Sequence, residues 1–263
     1  MASSPLDGEV PARSAGGGAA SLISSPDNEA VKLLRRLAHR RSPGAALLEG
    51  PRVVREAADA GVPLRLLAVR EGDRFSAPAD RTVVLAERLF NAISQTVTPQ
   101  GVMAVARVPE RRFGEALEAA RRAGWPLVAL DGLQDPGNVG AICRTAAAAG
   151  APALVVLPGS ADPFGPKAVR ASAGNVFRLL VARAEWRELA GLRAYGAAAA
   201  GGMPLGEASI ESADALVLGS EAHGLSQKGL QLVTIPVGDE VESLNVAAAA
   251  AVLLFEIRRR KAS

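Results

Sequence analysis

IPVGDEVESLNVAAAAAVLLFEIRRR, residues Ile235–Arg260, is the stretch that decides how the fold ends. It predicts the tail of an apolar strand, a polar loop and then a helix, because apolar side chains recur at helical spacing after the loop. Ser243 and Asn245 are good N-cap residue types before that helix. The arginines at its end suit the negative end of the helix dipole. A capped helix that closes a hydrophobic core explains this pattern by itself, so a functional interpretation needs support from other stretches.

Composition bounds the classes to which the chain can belong. Its 263 residues, 49% of them hydrophobic, suffice for one large domain or two smaller ones. Aromatic residues make up 3%, which argues against a surface that stacks on many bases. Cys143 is the one cysteine, which excludes an internal disulfide and indicates a reducing compartment, so we expect a cytoplasmic protein. His39 and His223 lack ligand-like spacing, and we expect no metal site.

Hydropathy and charge limit the partners. No apolar run of about 18 residues is free of charges and helix breakers, and the N-terminus lacks an apolar signal core, so we expect no membrane partner. The formal net charge of +3 at pH 7 is compatible with an acidic polymer as partner. The basic excess lies mostly in residues 27–110, with 13 cations against 10 acids, whereas residues 111–263 have 16 against 15. That distribution suits a docking module in the first part of the chain.

The first part of the chain predicts a tail followed by a small α/β unit. Residues 1–26 are poor in bulky apolar side chains, and we expect a disordered tail. Short strands and helices then alternate as far as residue 110. A helix over about Glu29–Arg41 presents either a solvated face or a phosphate-contacting patch for RNA. Its cations are Lys32, Arg35, Arg36, Arg40 and Arg41.

The second part predicts a parallel sheet covered on both faces. Residues 111–124 contain a linker helix, and after it apolar strands alternate with helices. Among these strands we expect Val176–Val181 and Val233–Val237. In such sheets ligands bind at the carboxyl ends of the strands. The loops at these strand ends are therefore the candidate ligand-binding segments.

Two further loops follow predicted strands and carry unusual residues. Asp131–Arg144 opens a helix but contains neither the dinucleotide-binding G-x-G-x-x-G nor the Gly-Lys-Ser/Thr of a P-loop. Arg144 stands in an Ala-rich helix, either as a functional residue or as a buried arginine paired with a carboxylate. In Leu218–Leu225, Gly219 permits close backbone approach to a ligand. Glu221 is either a solvated turn residue or a partner for Arg144 or a hydroxyl.

Taken in order, the three loops resemble the motifs of a known family. They are Asn138-x-Gly140-x-x-x-Arg144, then Gly219-Ser220-Glu221-x-x-Gly224, then Ile235-Pro236 followed by Ser243-Leu244-Asn245-Val246. This triple resembles the SpoU/TrmH branch of the SPOUT methyltransferases, over roughly residues 125–260. Members transfer a methyl group from S-adenosylmethionine to a ribose 2′-hydroxyl of RNA. Within residues 27–110, Leu47–Val69 and Gln95–Arg107 resemble the L30e-like substrate-binding domain of the rRNA-modifying members, which favours rRNA over tRNA.

The resemblance implies a fold and an assembly. The fold class is α/β, with an L30e-like RNA-binding domain at 27–110, a linker helix at 111–124 and a SPOUT domain at 125–263 that contains a deep trefoil knot. It also implies a homodimer whose active site is completed across the interface, and no DNA partner. The residues expected to hold S-adenosylmethionine are Gly219, Ile235, Pro236, Ser243 and Leu244.

The matched motifs supply the side chains for 2′-O-methyl transfer. Only Glu221 is a conventional base at pH 7, and a guanidinium with a pKa above about 12 resists deprotonation. Arg144 is therefore expected to grip a phosphate of the RNA and stabilise the developing alkoxide. Asn138 would orient Arg144 or the ribose, and Glu221 would hold Arg144. Ser243 and Asn245 would shape the donor loop and touch the target nucleotide, and the transfer needs no metal.

Two alternatives of other classes stay open at this point. A non-catalytic RNA-binding or ribosome-assembly protein would keep the fold, although all three motifs look intact. A dinucleotide-binding oxidoreductase would need the glycine fingerprint that the sequence lacks. Within the methyltransferase interpretation, tRNA is the alternative substrate to rRNA.

Overall fold

Two β-sheets, one from each part of the chain, organise the computed structural model, which describes residues 22–39, 44–220 and 223–262. The first sheet has the strand order β1-β4-β3-β5-β2, parallel from β1 to β3 and antiparallel from β3 to β2. Its strands are β1 (Leu22–Ile23), β2 (Ala45–Glu49), β3 (Leu64–Arg70), β4 (Thr82–Leu85) and β5 (Val102–Arg107). Its helices are α1 (Glu29–His39), α2 (Pro51–Asp59) and α3 (Glu87–Ile93). α1 and α3 pack together on one face through a cluster that includes Leu34 and Phe90.

The second sheet has seven parallel strands in the order β10-β12-β9-β11-β6-β7-β8. They are β6 (Leu127–Asp131), β7 (Ala153–Val156), β8 (Leu180–Arg183), β9 (Ala194–Ala198), β10 (Met203–Pro204), β11 (Ala215–Gly219) and β12 (Gln231–Thr234). The helices are α4 (Phe113–Arg122), α5 (Pro136–Ala149), α6 (Pro166–Ala171) and α7 (Val246–Lys261). Short 3₁₀ helices cover Asn175–Arg178, Trp186–Leu189 and Ile210–Ser212. The predicted parallel sheet is therefore confirmed, and all seven strands end at the same edge.

Both faces of the second sheet are buried, which explains its near-continuous apolar strands. In β6, Val128 and Leu130 point to the face covered by α5 and α7, while Leu127 and Ala129 point to the face covered by α4. This alternation is the two-residue period of a strand, and helices on each side satisfy both faces. Within the described part of the chain, no helix has both the length and the apolar composition to cross a membrane.

The prediction of a disordered tail over residues 1–26 is wrong at the C-terminal end of that range, where a short strand begins at Leu22. Leu22–Ile23 pairs in parallel with Val84–Leu85 of β4, and Ile23 is buried. A two-residue strand is too short for a periodic pattern to reveal it. Residues 1–21 lie outside the described part of the chain.

Two predicted strands are wrong in their bounds. The segment predicted as strand Val176–Val181 begins as the 3₁₀ helix Asn175–Arg178, and the strand starts only at Leu180. Short apolar runs do not distinguish a buried helical turn from a buried strand. The strand predicted at Val233–Val237 is β12, which ends at Thr234. Pro236, two residues later, has no N–H to donate to a neighbouring strand.

The helix predicted as a linker, α4, packs against one face of the second sheet. α4 buries Ala116 and Ala120 against β6, β7 and β8. The connection between the two sheets is therefore not a free spacer. Residues of the first unit also contact the second directly, since Nη1 of Arg170 in α6 lies 3.7 Å from Oε2 of Glu49 in β2. Arg178 forms a second ion pair across the same boundary, with Glu56 of α2.

The last turn of α7 is tied down by charged side chains. Arg260 donates to the carbonyl oxygens of Leu205 and Ala208, each at 2.5 Å, and to Oε1 of Glu256 at 2.7 Å. Arg259 donates twice to Glu256, each time at 2.8 Å. These hydrogen bonds lower the pKa of Glu256 from 4.5 to about 2, and the bond from Arg259 has the larger effect.

Glu256 should therefore make stability depend on pH on the acid side. Because its pKa is lower in the folded protein, its contribution is full above about pH 4.5 and is lost as the pH falls toward 2. We expect Glu256→Gln to lower the free energy of unfolding at pH 6 and to flatten its fall between pH 5 and about pH 2.5. Urea unfolding across this pH range measures both effects.

The matched control is Glu118→Gln. Glu118 lies on α4 with its carboxylate 3.5 Å from exposed Arg122, and such a surface pair contributes at most about 1 kcal/mol. A Glu256→Gln variant with the same pH dependence as the wild type would contradict the role given to Glu256.

Candidate active site

A cavity of about 500 Å³ opens at the carboxyl edge of the second sheet. Parallel strands bring the ends of β9, β11 and β12 to this edge, and the N-terminus of α7 closes it. Its walls are mostly apolar side chains with a few polar groups among them. The lining includes Ala197, Gly219, Leu225, Gln227, Lys228, Leu232, Ile235, Ser243, Leu244 and Leu253. Such a cavity suits a small molecule that has both an apolar part and polar ends.

A smaller cavity of about 160 Å³ lies beside the larger one. Ser220 and Val246 line both cavities, so the two spaces share one wall. The smaller cavity is lined by residues of the loop between β6 and α5 and by Asn138 and His223. Two ligands bound in these cavities would therefore meet at Ser220 and Val246.

Asp135 fixes the start of α5 at this site. It is the N-cap residue, and its Oδ2 accepts a hydrogen bond of 3.2 Å from the backbone N–H of Asn138. Lys167 donates to Oδ1 at 2.6 Å, and this bond is the main cause that lowers the pKa of Asp135. Asp135 is therefore ionised at neutral pH and holds the backbone that presents Asn138.

Asn245 joins the third motif to the first. Its Oδ1 caps α7 by accepting from the N–H groups of Ala247 at 3.0 Å and Ala248 at 3.4 Å. Its Nδ2 donates to Oδ1 of Asn138 at 3.3 Å. The capping predicted for this stretch thus falls to Asn245, while Ser243 lies on the wall of the larger cavity.

The second motif forms a tight loop against the end of β11. Ser220 and Gly224 exchange backbone hydrogen bonds of 3.0 and 2.7 Å. A Cβ on Gly219 would lie 2.5 Å from the carbonyl oxygen of Gly224, so only glycine fits beneath this loop. Glu221 lies outside the described residues, and its predicted contact with Arg144 stays a prediction.

Arg144 is exposed, so the alternative of a buried, paired arginine is wrong. It lines neither of the two cavities of its own chain. α5 and α7 run side by side in the same direction, because Asn138 meets Asn245 near one end and Ala148 accepts from Arg258 at 3.0 Å near the other. Arg144 consequently lies about level with Val252, whose side chain is also exposed.

The residues predicted to hold the methyl donor gather at one place. Gly219, Ile235, Ser243 and Leu244 all line the larger cavity, whereas Pro236 does not. The sequence did not identify Gln227, Lys228 or His223 as lining residues, because they stand in a loop without periodicity. The part that each residue plays stays a prediction.

The cations predicted to contact RNA are only partly described. On α1, Lys32 and Arg36 are exposed and Arg35 is half-buried, while the opposite face of the helix packs on the first sheet. Lys32 pairs with exposed Glu29 at 3.0 Å. Arg40 and Arg41 lie outside the described residues.

Two family models match the chain. Residues 126–255 match the SpoU rRNA Methylase family, and residues 28–104 match the MRM3-like substrate binding domain. The first match contains both cavities, and the second covers most of the first sheet and its helices.

Relatives resemble the chain over nearly its whole length. It is 32% identical to the 23S rRNA (guanosine(2553)-2′-O)-methyltransferase RlmP of Bacillus subtilis, over 90% of this chain and 98% of that protein. An AdoMet-bound rRNA methyltransferase from Sinorhizobium meliloti superposes with a TM-score of 0.77 and 28% identity, covering 92% of this chain and 99% of that one. The SpoU methyltransferase AviRb from Streptomyces viridochromogenes, in complex with AdoMet, gives 0.78 and 26% over 90% and 99%.

Proposed function

This chain belongs to the SpoU rRNA methylase family, and from that membership we propose that it transfers a methyl group from S-adenosylmethionine to a ribose 2′-hydroxyl of 23S rRNA. One observation carries the proposal beyond the family likeness. Asn138, which lines the smaller cavity, lies 3.3 Å from Asn245, the residue before Val246 in the wall that the two cavities share. A donor and an acceptor nucleotide can bind side by side there.

The larger cavity fits S-adenosylmethionine. Its volume of about 500 Å³ is that of a small-molecule site. Leu225, Leu232 and Ile235 make part of its wall apolar, which suits the adenine ring of the donor. Gln227, Lys228 and Ser243 supply polar groups for the charged end of the donor. When bound, the donor supplies an electrophilic methyl group on a sulfonium, which leaves a neutral thioether.

The smaller cavity suits the target ribose. Asn138, held by Asp135 and Asn245, offers its amide to a sugar hydroxyl. The work of the protein is chiefly to align the 2′-oxygen with the methyl group across Ser220 and Val246, since a ribose hydroxyl is a weak nucleophile at neutral pH. DNA lacks this hydroxyl, so RNA is the substrate class.

We propose a homodimer in which Arg144 serves the partner's site. Arg144 is exposed and lines neither cavity of its own chain, yet it stands level with exposed Val252 and one turn of α7 before exposed Phe255. Val252 and Phe255 are three residues apart on one exposed face of α7, and neighbouring exposed apolar side chains are a mark of protein interfaces. Across a two-fold axis, Arg144 would grip the phosphate next to the target ribose and stabilise the developing alkoxide. With the family likeness comes the expectation of a deep trefoil knot in this domain.

The first unit would dock the RNA. Lys32 and Arg36 give α1 an exposed basic face, and contacts of that kind supply affinity that does not depend on sequence. Such a unit favours rRNA over tRNA, and the similarity to RlmP favours 23S rRNA. We place the protein in the cytoplasm, where bacterial rRNA is modified.

The test is a transfer assay with purified protein, labelled S-adenosylmethionine and, separately, 23S rRNA, 16S rRNA and tRNA. The expected result is label in 2′-O-methylnucleosides of 23S rRNA after nuclease digestion. Label in tRNA alone would mean that tRNA, and not 23S rRNA, is the substrate. Binding of donor and RNA without transfer to any of these, or to ribosomal particles, would favour the non-catalytic RNA-binding protein.

A further inference from the structure

The loop Gly224–Leu230 forms one wall of the larger cavity. Six of its seven residues line that cavity, and Ser226 is the exception. Backbone hydrogen bonds between Ser220 and Gly224 fix the start of the loop. Those bonds do not reach the middle of the loop, where Gln227 and Lys228 line the cavity.

Asp131 is a buried carboxylate that holds the middle of this loop. It is the last residue of β6 and only 1% exposed. Its Oδ2 accepts a hydrogen bond of 2.6 Å from the backbone N–H of Ser226, and its Oδ1 accepts one of 2.8 Å from the Ser226 hydroxyl. A buried carboxylate is costly without such partners, so both oxygens tie the loop to one point.

Trp186 completes the arrangement from the other side. Its indole Nε1–H donates to Oγ of Ser226 at 2.8 Å. The ring is half-buried in the apolar cluster on the sheet face covered by α4. The Ser226 hydroxyl therefore accepts from Trp186 while it donates to Asp131, which fixes its orientation.

The two leucines that flank this anchor pack on the sheet. A Cβ on Gly196 would overlap Cδ1 of Leu225 and lie 3.3 Å from Cδ1 of Leu230. The loop thus rests on β9 at both ends and is hydrogen-bonded at Ser226 between them. The residues that face the cavity are held from behind.

We infer that Asp131, Ser226 and Trp186 are positioning residues that hold the loop Gly224–Leu230 in the shape that receives S-adenosylmethionine. The inference rests on the proposed function. None of the three residues lines the cavity, and each acts through Gln227, Lys228 and their neighbours. A preformed wall spares the donor the entropy of ordering a loop, so loosening it weakens donor binding.

The test is calorimetric binding of S-adenosylmethionine to the full chain. Ser226→Ala removes both side-chain hydrogen bonds and is expected to weaken donor binding about tenfold. Trp186→Phe removes one neutral hydrogen bond and is expected to weaken it about fivefold. The double variant should bind no more weakly than Ser226→Ala, because the indole N–H donates to the very hydroxyl that is lost. Ser226→Thr keeps the hydroxyl and should restore most of the affinity.

Trp125→Phe is the matched control, since Trp125 is the other tryptophan and packs away from this loop. It should leave donor affinity within about twofold, and RNA affinity should be unchanged in all variants. A wild type that fails to bind the donor overturns the proposed function. A wild type that binds it, with Ser226→Ala and Trp186→Phe within twofold, overturns this inference alone. Equal losses in Trp186→Phe and Trp125→Phe, with lower melting temperatures, also overturn it.

Discussion

Arg144→Ala should lower the rate of methyl transfer at least about 100-fold while leaving the fold and donor binding intact. In the proposed mechanism this guanidinium stabilises the developing alkoxide, and removing such a group typically slows a reaction by two to three orders of magnitude. The side chain is exposed, so its loss leaves no cavity in the core. Single-turnover transfer to 23S rRNA measures the rate, and calorimetry measures donor affinity. Arg122→Ala, at an exposed arginine of α4, is the control.

Mixed dimers test whether Arg144 acts across the interface. Asn138→Ala and Arg144→Ala should each be inactive alone. After the two are exchanged in equal amounts, half of the dimers are mixed and carry one intact site, so roughly one quarter of wild-type activity should return. No recovery, despite exchange of subunits, would place Arg144 in the site of its own chain. An active Arg144→Ala variant would remove it from the mechanism.

Gly140→Ala should lower the free energy of unfolding by about 3 kcal/mol, although alanine usually favours a helix. A Cβ at this position would overlap the carbonyl oxygen of Ala168 and lie 2.6 Å from Cβ of Ala171 and 3.0 Å from the backbone nitrogen of Ser172. α5 and α6 approach so closely here that the helices must separate. The shift would also move Lys167 away from Asp135, and with it the start of α5. Urea unfolding followed by circular dichroism measures the loss.

Gly114→Ala is the matched control, because Gly114 lies on α4 with no neighbouring atom within 4 Å of an added Cβ. It should raise the free energy of unfolding by about 0.5 kcal/mol, as expected when glycine is replaced in an exposed helix. If Gly140→Ala were as stable as the wild type, the close approach of α5 and α6 would not matter to the fold.

β6, β7 and β11 of the second sheet are predictable because each is a short apolar run bounded by breakers. β6 shows why these runs are continuously apolar, since Leu127 and Val128 are buried on opposite faces of the sheet. β1 and β10 were not predicted, since two residues give no period. The apolar run at Val176–Val181 predicts a strand, whereas Asn175–Arg178 is a 3₁₀ turn that Gly174 starts with a φ of 85°, and an apolar pattern contains no information on that angle.

The sequence predicts the site residues that belong to a motif. It does not predict residues whose role depends on contacts between distant parts of the chain. The motifs gave Asn138 and Asn245, which the fold brings to 3.3 Å. Gly140 is also a motif residue, but glycine is needed there because α6 approaches closely. The atoms concerned belong to Ala168, Ala171 and Ser172, which lie further along the chain. The anchor at Ser226 joins it to Asp131 and Trp186, which are remote in sequence, so no local pattern reveals it.

The ion pairs Glu49–Arg170 and Glu56–Arg178 bear on how an RNA would be chosen. They join the first unit to α6 and to the 3₁₀ helix Asn175–Arg178, both of which pack on α5, the helix that carries Asn138. Oε2 of Glu49 also accepts from the N–H of Gln95 at 3.1 Å, and its Oε1 accepts from Thr96 at 2.9 Å, so the same carboxylate steadies a surface loop of the first unit. Under the proposed function, a fixed spacing between the first unit and the site at Asn138 would restrict methyl transfer to a nucleotide at a set distance from the docked part of the RNA.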